Sequence, residues 1–440
     1  MITHTGRRLA AVAALGLLVA LAACDDGGEA PAEEPLAVST TGGPESSGGE
    51  TEERGPEPGG VAGGTMPAGG RLSGYVVSVG IQADGTGNEA RRTDAGTGAT
   101  TVLWTTDDKA TLSDWRLAPD GRRAAYRITL PDGEPPEALV VRELSTGAEP
   151  VTVITTDVAS ARLSGFIWAP ESDALLYGLE TGESLGFEPG GAPSARALEL
   201  HEVELGADGP TADRVAWRAD GEALGAVYLT VVAWDRGSGH VALVEVGADG
   251  GAPSALRFVD LASGDVESRE WRLLQSTDAV ASPDGAFLAV AGRCGLRMLN
   301  VSFIEGSAED RESNCRPPAT APLWSPDLRG LAWTDLATSA ELGADVSVRV
   351  HFIHVRPTAA QTSNPRYFPP DFSTTVEGEG TRALAVIEDA GFGQALLVGI
   401  ADPGMVEPTR LVAYVLDEGG AILPVPWSPP SGTWWIGWVP

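Results

Sequence analysis

One tight-turn motif recurs along this chain, and a recurring turn restricts the fold more than any other feature of the sequence. Each copy must open the same small supersecondary unit, and units too small to bury their own apolar faces must bury one another. Two copies are complete, Leu117-Ala118-Pro119-Asp120-Gly121 and Ala281-Ser282-Pro283-Asp284-Gly285. Four are degenerate: Trp168-Ala169-Pro170-Glu171, Trp217-Arg218-Ala219-Asp220-Gly221, Trp324-Ser325-Pro326-Asp327 and Trp427-Ser428-Pro429. Proline presets φ for the second turn position, Asp accepts from nearby backbone N–H groups, and Gly takes the positive φ that reverses the chain.

A strand is expected after each turn: 123–128, 174–179, 223–229, 286–291 and 330–333. Several, such as Ala286-Phe287-Leu288-Ala289-Val290, are apolar on both faces, as a strand must be when sheets cover it on both sides. A second strand ending in a Gly turn also recurs, in Val140-Val141-Arg142-Glu143-Leu144-Ser145-Thr146-Gly147 and in Phe258-Val259-Asp260-Leu261-Ala262-Ser263-Gly264. From Ser73 onward no window holds a 3.6-residue period for long, so the class is all-β, with about four strands per unit. The motif positions 119, 170, 219, 283, 326 and 429 are separated by 51, 49, 64, 43 and 103 residues. The last gap holds a hidden unit around 381–398, giving seven units, with six or eight as the alternatives. The C-terminal strand 433–438 is expected to pair beside the opening strand 74–79 and remove the exposed edges.

These repeats resemble those of TolB-type β-propellers, whose blades carry Trp-Ser-Pro-Asp-Gly turns, an apolar strand and a strand ending near Asp-Leu-x-x-Gly. The resemblance covers nearly all of residues 73–440 as a repeat pattern. It implies a β-propeller of four-stranded antiparallel blades and, for partners, periplasmic proteins such as peptidoglycan-associated lipoproteins. It implies no particular activity.

The N-terminus specifies an address. Arg7 and Arg8 precede an apolar run of 13 residues from Leu9 to Leu21, too short for a bilayer, which needs about 20. The run ends in Leu21-Ala22-Ala23-Cys24, which resembles the lipobox of bacterial lipoproteins. Residues 1–23 are therefore expected to be a signal peptide and Cys24 the lipidated first residue of the mature protein, held at a bacterial membrane and facing the periplasm or cell surface. Asp25 resembles the inner-membrane retention signal of enteric bacteria. Residues 24–72 complete the anchor and a Gly-, Pro- and Glu-rich linker with almost no large apolar residue, which cannot offset its ordering entropy. As a random coil it reaches about 40 Å. The propeller occupies 73–440.

Charge narrows the partners. The chain carries a formal net charge of −31, and removing Arg7 and Arg8 with the signal makes it −33. Such a surface repels phosphate backbones and anionic headgroups, which argues against nucleic acid and direct lipid binding and is compatible with basic partners or cations. Cys294 and Cys315, 21 residues apart in an oxidising compartment, are expected to form a disulfide worth about 3 kcal/mol. A metal or redox pair would need neighbouring His ligands or a CxxC spacing.

Motifs for chemistry are sparse. Gly182-Glu183-Ser184-Leu185-Gly186 matches the GxSxG pattern, but Phe187-Glu188-Pro189-Gly190-Gly191 follows where a nucleophile elbow needs a helix. His351 and His354 have helical metal-pair spacing, yet in the apolar run 348–355 they are expected on a strand, facing opposite sides. Asp84-Gly85-Thr86-Gly87-Asn88-Glu89 has calcium-like oxygens and reads more simply as a turn. Among twelve tryptophans, Trp168, Trp217, Trp324 and Trp427 share one repeat position and read as packing between blades. Trp434, Trp435 and Trp438 are the better candidates for a sugar platform, weighed against packing of the closing strand. No catalytic residue, metal ligand or cofactor motif is assigned. The reading is a membrane-tethered propeller that binds an envelope protein partner or acts as a scaffold. The rivals are an envelope lyase or glycan or peptide hydrolase working at the central channel, and a structural or sensory domain.

Overall fold

A computed structural model describes residues 72–440 except 107–110, 130–136, 157–160, 182–196, 208, 221–226, 248–252, 271–278, 293–294, 302–321, 326–329, 338–346, 355–371, 378–380, 389–393, 403–406, 417–420, 430–431 and 434. The signal peptide, Cys24, the linker, the Cys294–Cys315 pair and the Gly182–Gly186 motif lie outside the described residues.

Every described element is a strand. They are β1 (Tyr75–Ile81), β2 (Asn88–Asp94) and β3 (Thr100–Thr105); β4 (Thr111–Leu117), β5 (Arg123–Thr129), β6 (Glu137–Glu143) and β7 (Val151–Thr156); β8 (Ala161–Trp168), β9 (Ala174–Thr181), β10 (Ala197–Leu205) and β11 (Pro210–Ala219). Then come β12 (Val227–Asp235), β13 (His240–Gly247), β14 (Pro253–Asp260) and β15 (Val266–Glu270); β16 (Ala279–Ala281), β17 (Phe287–Gly292) and β18 (Gly295–Asn300). The last are β19 (Leu323–Trp324), β20 (Gly330–Ala337), β21 (Ser347–His354) and β22 (Phe372–Glu377); β23 (Arg382–Ile387), β24 (Ala395–Ile400), β25 (Arg410–Val415) and β26 (Ala421–Val425); and β27 (Trp435–Val439).

These strands form seven sheets, six of four strands and one of three, each antiparallel and each drawn from consecutive strands except the first, whose order is β27-β1-β2-β3. The C-terminal strand closes on the opening one in the register Val76↔Trp438, Val77↔Gly437 and Ser78↔Ile436. Borrowing the last strand to complete the first sheet removes two free edges at once.

Neighbouring sheets pack around the whole ring. Trp104 of the first sheet stacks with Trp115 and Tyr126 of the second, whose Trp115 also meets Trp435 at 5.5 Å. Trp168 of the third donates its indole N–H to the Arg116 carbonyl of the second at 3.2 Å. Arg236 of the fourth reaches Asp173 of the third at 2.7 Å. Trp324 of the sixth donates to the Val280 carbonyl of the fifth at 3.1 Å. Phe352 and Val350 of the sixth share a core with Leu396 and Val398 of the seventh, and Leu397 and Ala413 of the seventh share one with Val76 and Ile436 of the first. The fourth and fifth meet at Gly285: with φ at +73°, a Cβ there would lie 1.8 Å from the Trp234 carbonyl oxygen. The motif glycine is thus required twice, by the turn and by the neighbouring blade.

The repeat turn performs the expected chemistry. In a complete copy Ser282 accepts from Phe287 N–H at 2.9 Å and Asp284 accepts from Ala286 N–H at 3.1 Å, and in a degenerate copy Ser325 accepts from Gly330 N–H at 2.6 Å.

Two motif copies were misplaced by sequence pattern. Trp217 ends β11, the outermost strand of the third sheet, and the expected strand 223–229 only overlaps β12. The fourth sheet turns instead at Asp235-Arg236-Gly237-Ser238-Gly239, where Asp235 accepts from Ser238 N–H at 3.1 Å and Gly239 has φ +76°. This turn does the same work without proline. Trp427-Ser428-Pro429 lies between β26 and β27, not within a hairpin. The described strands still make seven sheets: four with the motif, the fourth with the Asp235–Gly239 turn, the hidden unit at 381–398 as the seventh, and the first, whose two inner strands are the last and first of the chain.

Candidate functional site

One strand of each sheet, β27, β4, β8, β12, β16, β19 or β23, lies toward the ring's centre and meets its counterparts in the neighbouring sheets, and several of these inner strands are bulged. β4 leaves Asp114 and Trp115 out of its ladder with β5, and β8 leaves Ser164 and Gly165 out of its ladder with β9. The two bulges are equivalent, since Leu112-Ser113-Asp114-Trp115 and Leu163-Ser164-Gly165-Phe166 both stand the same distance before their turns. Gly165 adopts φ +120°, and Asp114 adopts φ +51°, a left-handed conformation rare for a residue with a side chain. A Cβ on Gly165 would lie 2.8 Å from Thr230 Cγ2 of β12, so glycine permits the close approach of neighbouring inner strands.

A cavity of about 240 Å³ opens at these bulges, toward the end of the strands away from their turns at Pro119 and Pro170. Its polar lining comprises Asp114 and Arg116 from β4, Arg127 from β5, Arg162 and Ser164 from β8, Glu180 from β9 and Thr230 from β12. Three arginines face Asp114 and Glu180 in the lining, and Glu137 beside Arg127 brings the charges into balance. Arg127 bonds Asp114 at 3.1 Å and approaches Glu137 at 3.6 Å, yet its Nε is buried and unpaired. Ser164 Oγ is likewise buried with no hydrogen-bond partner. The Arg116 guanidinium lies over the Phe166 ring at 5.6 Å. Burial, with help from the like charge of Arg127, holds the Arg116 guanidinium below its usual value, and Asp114 opposes that.

A larger, open groove of about 480 Å³ lies at the turn end of the second and third sheets, lined by Asp120, Arg122, Arg123, Glu143 and Glu149. Its groups are largely engaged: Asp120 accepts from Arg122 N–H at 2.9 Å, and Arg123 donates to the Ser172 carbonyl.

A third cluster holds the groups best suited to proton transfer. Tyr177 on β9 donates to Asp213 at 3.0 Å and stacks on His201 at 4.9 Å. His201 places one ring nitrogen 3.1 Å from Asp213 and the other 3.1 Å from Glu199, which Arg218 also bonds at 2.7 Å. Burial, then the Asp213 charge, pushes the Tyr177 phenol far up, so it stays neutral. None of these groups lines the cavity.

The other sequence candidates resolve as structure. His351 and His354 sit on β21 as expected, His351 stacked on Trp333 at 5.1 Å and His354 edge-on to Phe352 at 4.9 Å. Asp84 accepts from Thr86 N–H at 3.0 Å and Thr86 Oγ1 at 2.7 Å, the work of a turn. Among the described residues no three His, Cys, Asp or Glu groups are placed to hold a metal. Trp168, Trp217 and Trp324 are all buried between sheets, Trp217 through a 3.4 Å bond to the Gly264 carbonyl. Trp435 and Trp438 are partly buried and pack in the closing strand's clusters, while Trp434 lies outside the described residues.

No family profile and no curated protein matches the sequence. Solved structures with a similar arrangement include TolB from Acinetobacter baumannii, at 12% identity and a TM-score of 0.40 over 70% of this chain and 65% of that one. An oligogalacturonate lyase in complex with manganese gives 14% identity and 0.46, over 79% and 84%. A protein from Lactobacillus plantarum gives 12% and 0.46, over 84% and 100%. At these values none of them bears on what this chain binds.

Proposed function

We propose that this chain is a lipid-tethered β-propeller of the bacterial envelope that works by binding, with its recognition end where β4, β8 and β12 open the cavity. The observation that carries this reading is the cavity itself, lined by Asp114, Arg116, Arg127, Arg162 and Glu180 where the inner strands bulge at Asp114 (φ +51°) and Gly165 (φ +120°). A residue with a side chain held at positive φ costs about 1–3 kcal/mol and persists where the surrounding structure fixes it, and such backbone clusters at ligand sites. The tether on Cys24 and the linker through residue 72 would let this end meet a partner off the membrane.

The alternative, an envelope enzyme, needs an acid and a base converging on the substrate. In the cavity Asp114 is held by Arg127, and the His201 cluster stands elsewhere.

The test places a photo-crosslinking amino acid at exposed Arg162 on the cavity rim or at exposed Ser263 at the turn end, in the full chain in its membrane. An envelope protein captured from position 162 and not from 263 upholds the reading. Equal capture from both, or turnover of a glycan or peptide library, overturns it. Cys24→Ser should release the chain from the membrane fraction, and retention would refute the lipid anchor.

A further inference from the structure

We propose that the free edge of β7 is a docking strand for a short, extended, basic segment of a partner protein, which adds to the second sheet as a fifth strand. The proposal goes beyond the binding reading above and does not depend on the cavity.

The outermost strands of the sheets are guarded unequally. A sheet edge presents unpaired N–H and C=O groups, and proteins guard it with charge, proline or a bulge. Among the outermost described strands, β11, β15, β18 and β22 carry charged residues and β26 carries Pro424. β7 has neither: Val151-Thr152-Val153-Ile154-Thr155-Thr156 is β-branched at every position, the composition that best suits a pleated strand. It forms a ladder only with β6, and it leaves Thr152 and Thr155 exposed and Val151, Val153 and Ile154 half-buried. β3, the other uncharged edge, buries Leu103 and Trp104.

Shape and charge select the occupant. A bulge leaves Val153 out of the ladder between Thr152 and Ile154, which shortens the stretch an added strand can pair and suits a short segment over the long edge of another sheet. A second copy is disfavoured because two chains of net charge −31 repel. The open groove of about 480 Å³ starts at Val151, the first residue of β7, and its lining includes Gly147, Ala148, Gly206 and Gly209, whose small side chains admit another main chain. Asp120, Glu143 and Glu149 are exposed there against exposed Arg122 alone. The nearby arginines are spent inward: Arg123 donates to the Ser172 carbonyl, and buried Arg142 donates to the Ala148 carbonyl at 2.6 Å while lying over the Trp104 ring. Main-chain hydrogen bonds along β7 supply affinity, and the carboxylates at its start select Arg or Lys.

The experiment is fluorescence anisotropy on the full chain in detergent, with a labelled peptide of alternating Val and Thr that carries Arg at each end. The controls are the same peptide with Glu for Arg, and the Arg peptide N-methylated at alternate residues, which removes its donors to the edge. The Arg peptide should saturate, weaken as salt rises and slow hydrogen exchange at 151–156, and both controls should bind about tenfold more weakly or worse. Glu143→Gln with Glu149→Gln should weaken it about threefold to tenfold, the worth of two surface ion pairs. Thr155→Lys puts a guard charge on an exposed position and should cost about tenfold at an unchanged urea midpoint, whereas Ser263→Lys at the fourth sheet leaves binding unchanged. No saturation by about 1 mM, equal binding of either control, protection that spares 151–156, or equal effects of Thr155→Lys and Ser263→Lys overturns the proposal. Self-association of the chain that Thr155→Lys abolishes overturns it as well, by making a second copy the occupant.

Discussion

Replacing Gly285 by alanine separates what the turn requires from what the neighbouring blade requires. Gly285 and Gly147 have nearly the same backbone, φ +73° and +72°, so alanine at either position suffers the same left-handed strain, about 1–2 kcal/mol. Their surroundings differ. A Cβ at 147 meets nothing within 4 Å, whereas at 285 it lies 1.8 Å from the Trp234 carbonyl oxygen, 2.6 Å from its carbon and 3.1 Å from Asp235 N. All three are main-chain atoms of β12, which cannot swing aside as a side chain can. The blades must separate locally by more than an ångström, an overpacking cost of about 1–3 kcal/mol. Gly147→Ala should therefore lose about 1–2 kcal/mol and Gly285→Ala about 2–5, measured as urea midpoints at unchanged m-value. Equal losses would refute the seating of the fifth sheet's turn against the fourth, and with it the inter-blade role assigned to the motif glycine.

Two further perturbations probe the ring and its buried groups. Arg236→Met removes the cation shared by Asp173 at 2.7 Å and Glu202 at 3.1 Å, and although Arg214 still bonds Glu202 the loss should be about 2 kcal/mol by the same urea assay; no loss would show the network idle. Tyr177 has a folded pKa raised above its unfolded value of about 10, so its contribution is complete below that pH and is lost as pH rises through and beyond it, because only the unfolded chain then ionises. Tyr177→Phe should flatten the fall in stability above about pH 10 by up to roughly 1.4 kcal/mol per pH unit, and an unchanged slope would contradict the raised phenol.

What the sequence reveals and what it hides divide along one physical line. The Ser282–Asp284–Gly285 turn is local chemistry, complete within six residues, and its spacing exposes the repeat. The turn at Asp235–Gly239 performs the same reversal with aspartate directly after Trp234, so the spacing of Trp three residues before Asp-Gly passes over it and falls on Trp217-Arg218-Ala219-Asp220-Gly221, whose Trp also packs between blades but from an outer strand. The closing strand is legible because an apolar terminal run must find an edge. The cavity is not, because Arg116, Arg127 and Ser164 come from three strands in two sheets and converge only through bulges that interrupt the alternation of sides. A trace of it is present: Leu-Ser-Asp-Trp at 112–115 and Leu-Ser-Gly-Phe at 163–166 recur at one distance from their turns, with Asp and Gly, residues that tolerate positive φ, at the bulge.

Everything here depends on the chain forming a closed ring, and the pairing of its first and last strands tests that most directly. Tyr75 faces Val439 in the ladder, at the 4.5–5.5 Å Cα spacing of antiparallel partners and within disulfide range. Mild oxidation of Tyr75→Cys with Val439→Cys should give the cross-linked peptide by mass mapping, while Tyr75→Cys with Thr433→Cys, six residues back along the chain, should not. No cross-link in the first pair, or equal yields in both, would contradict the ring.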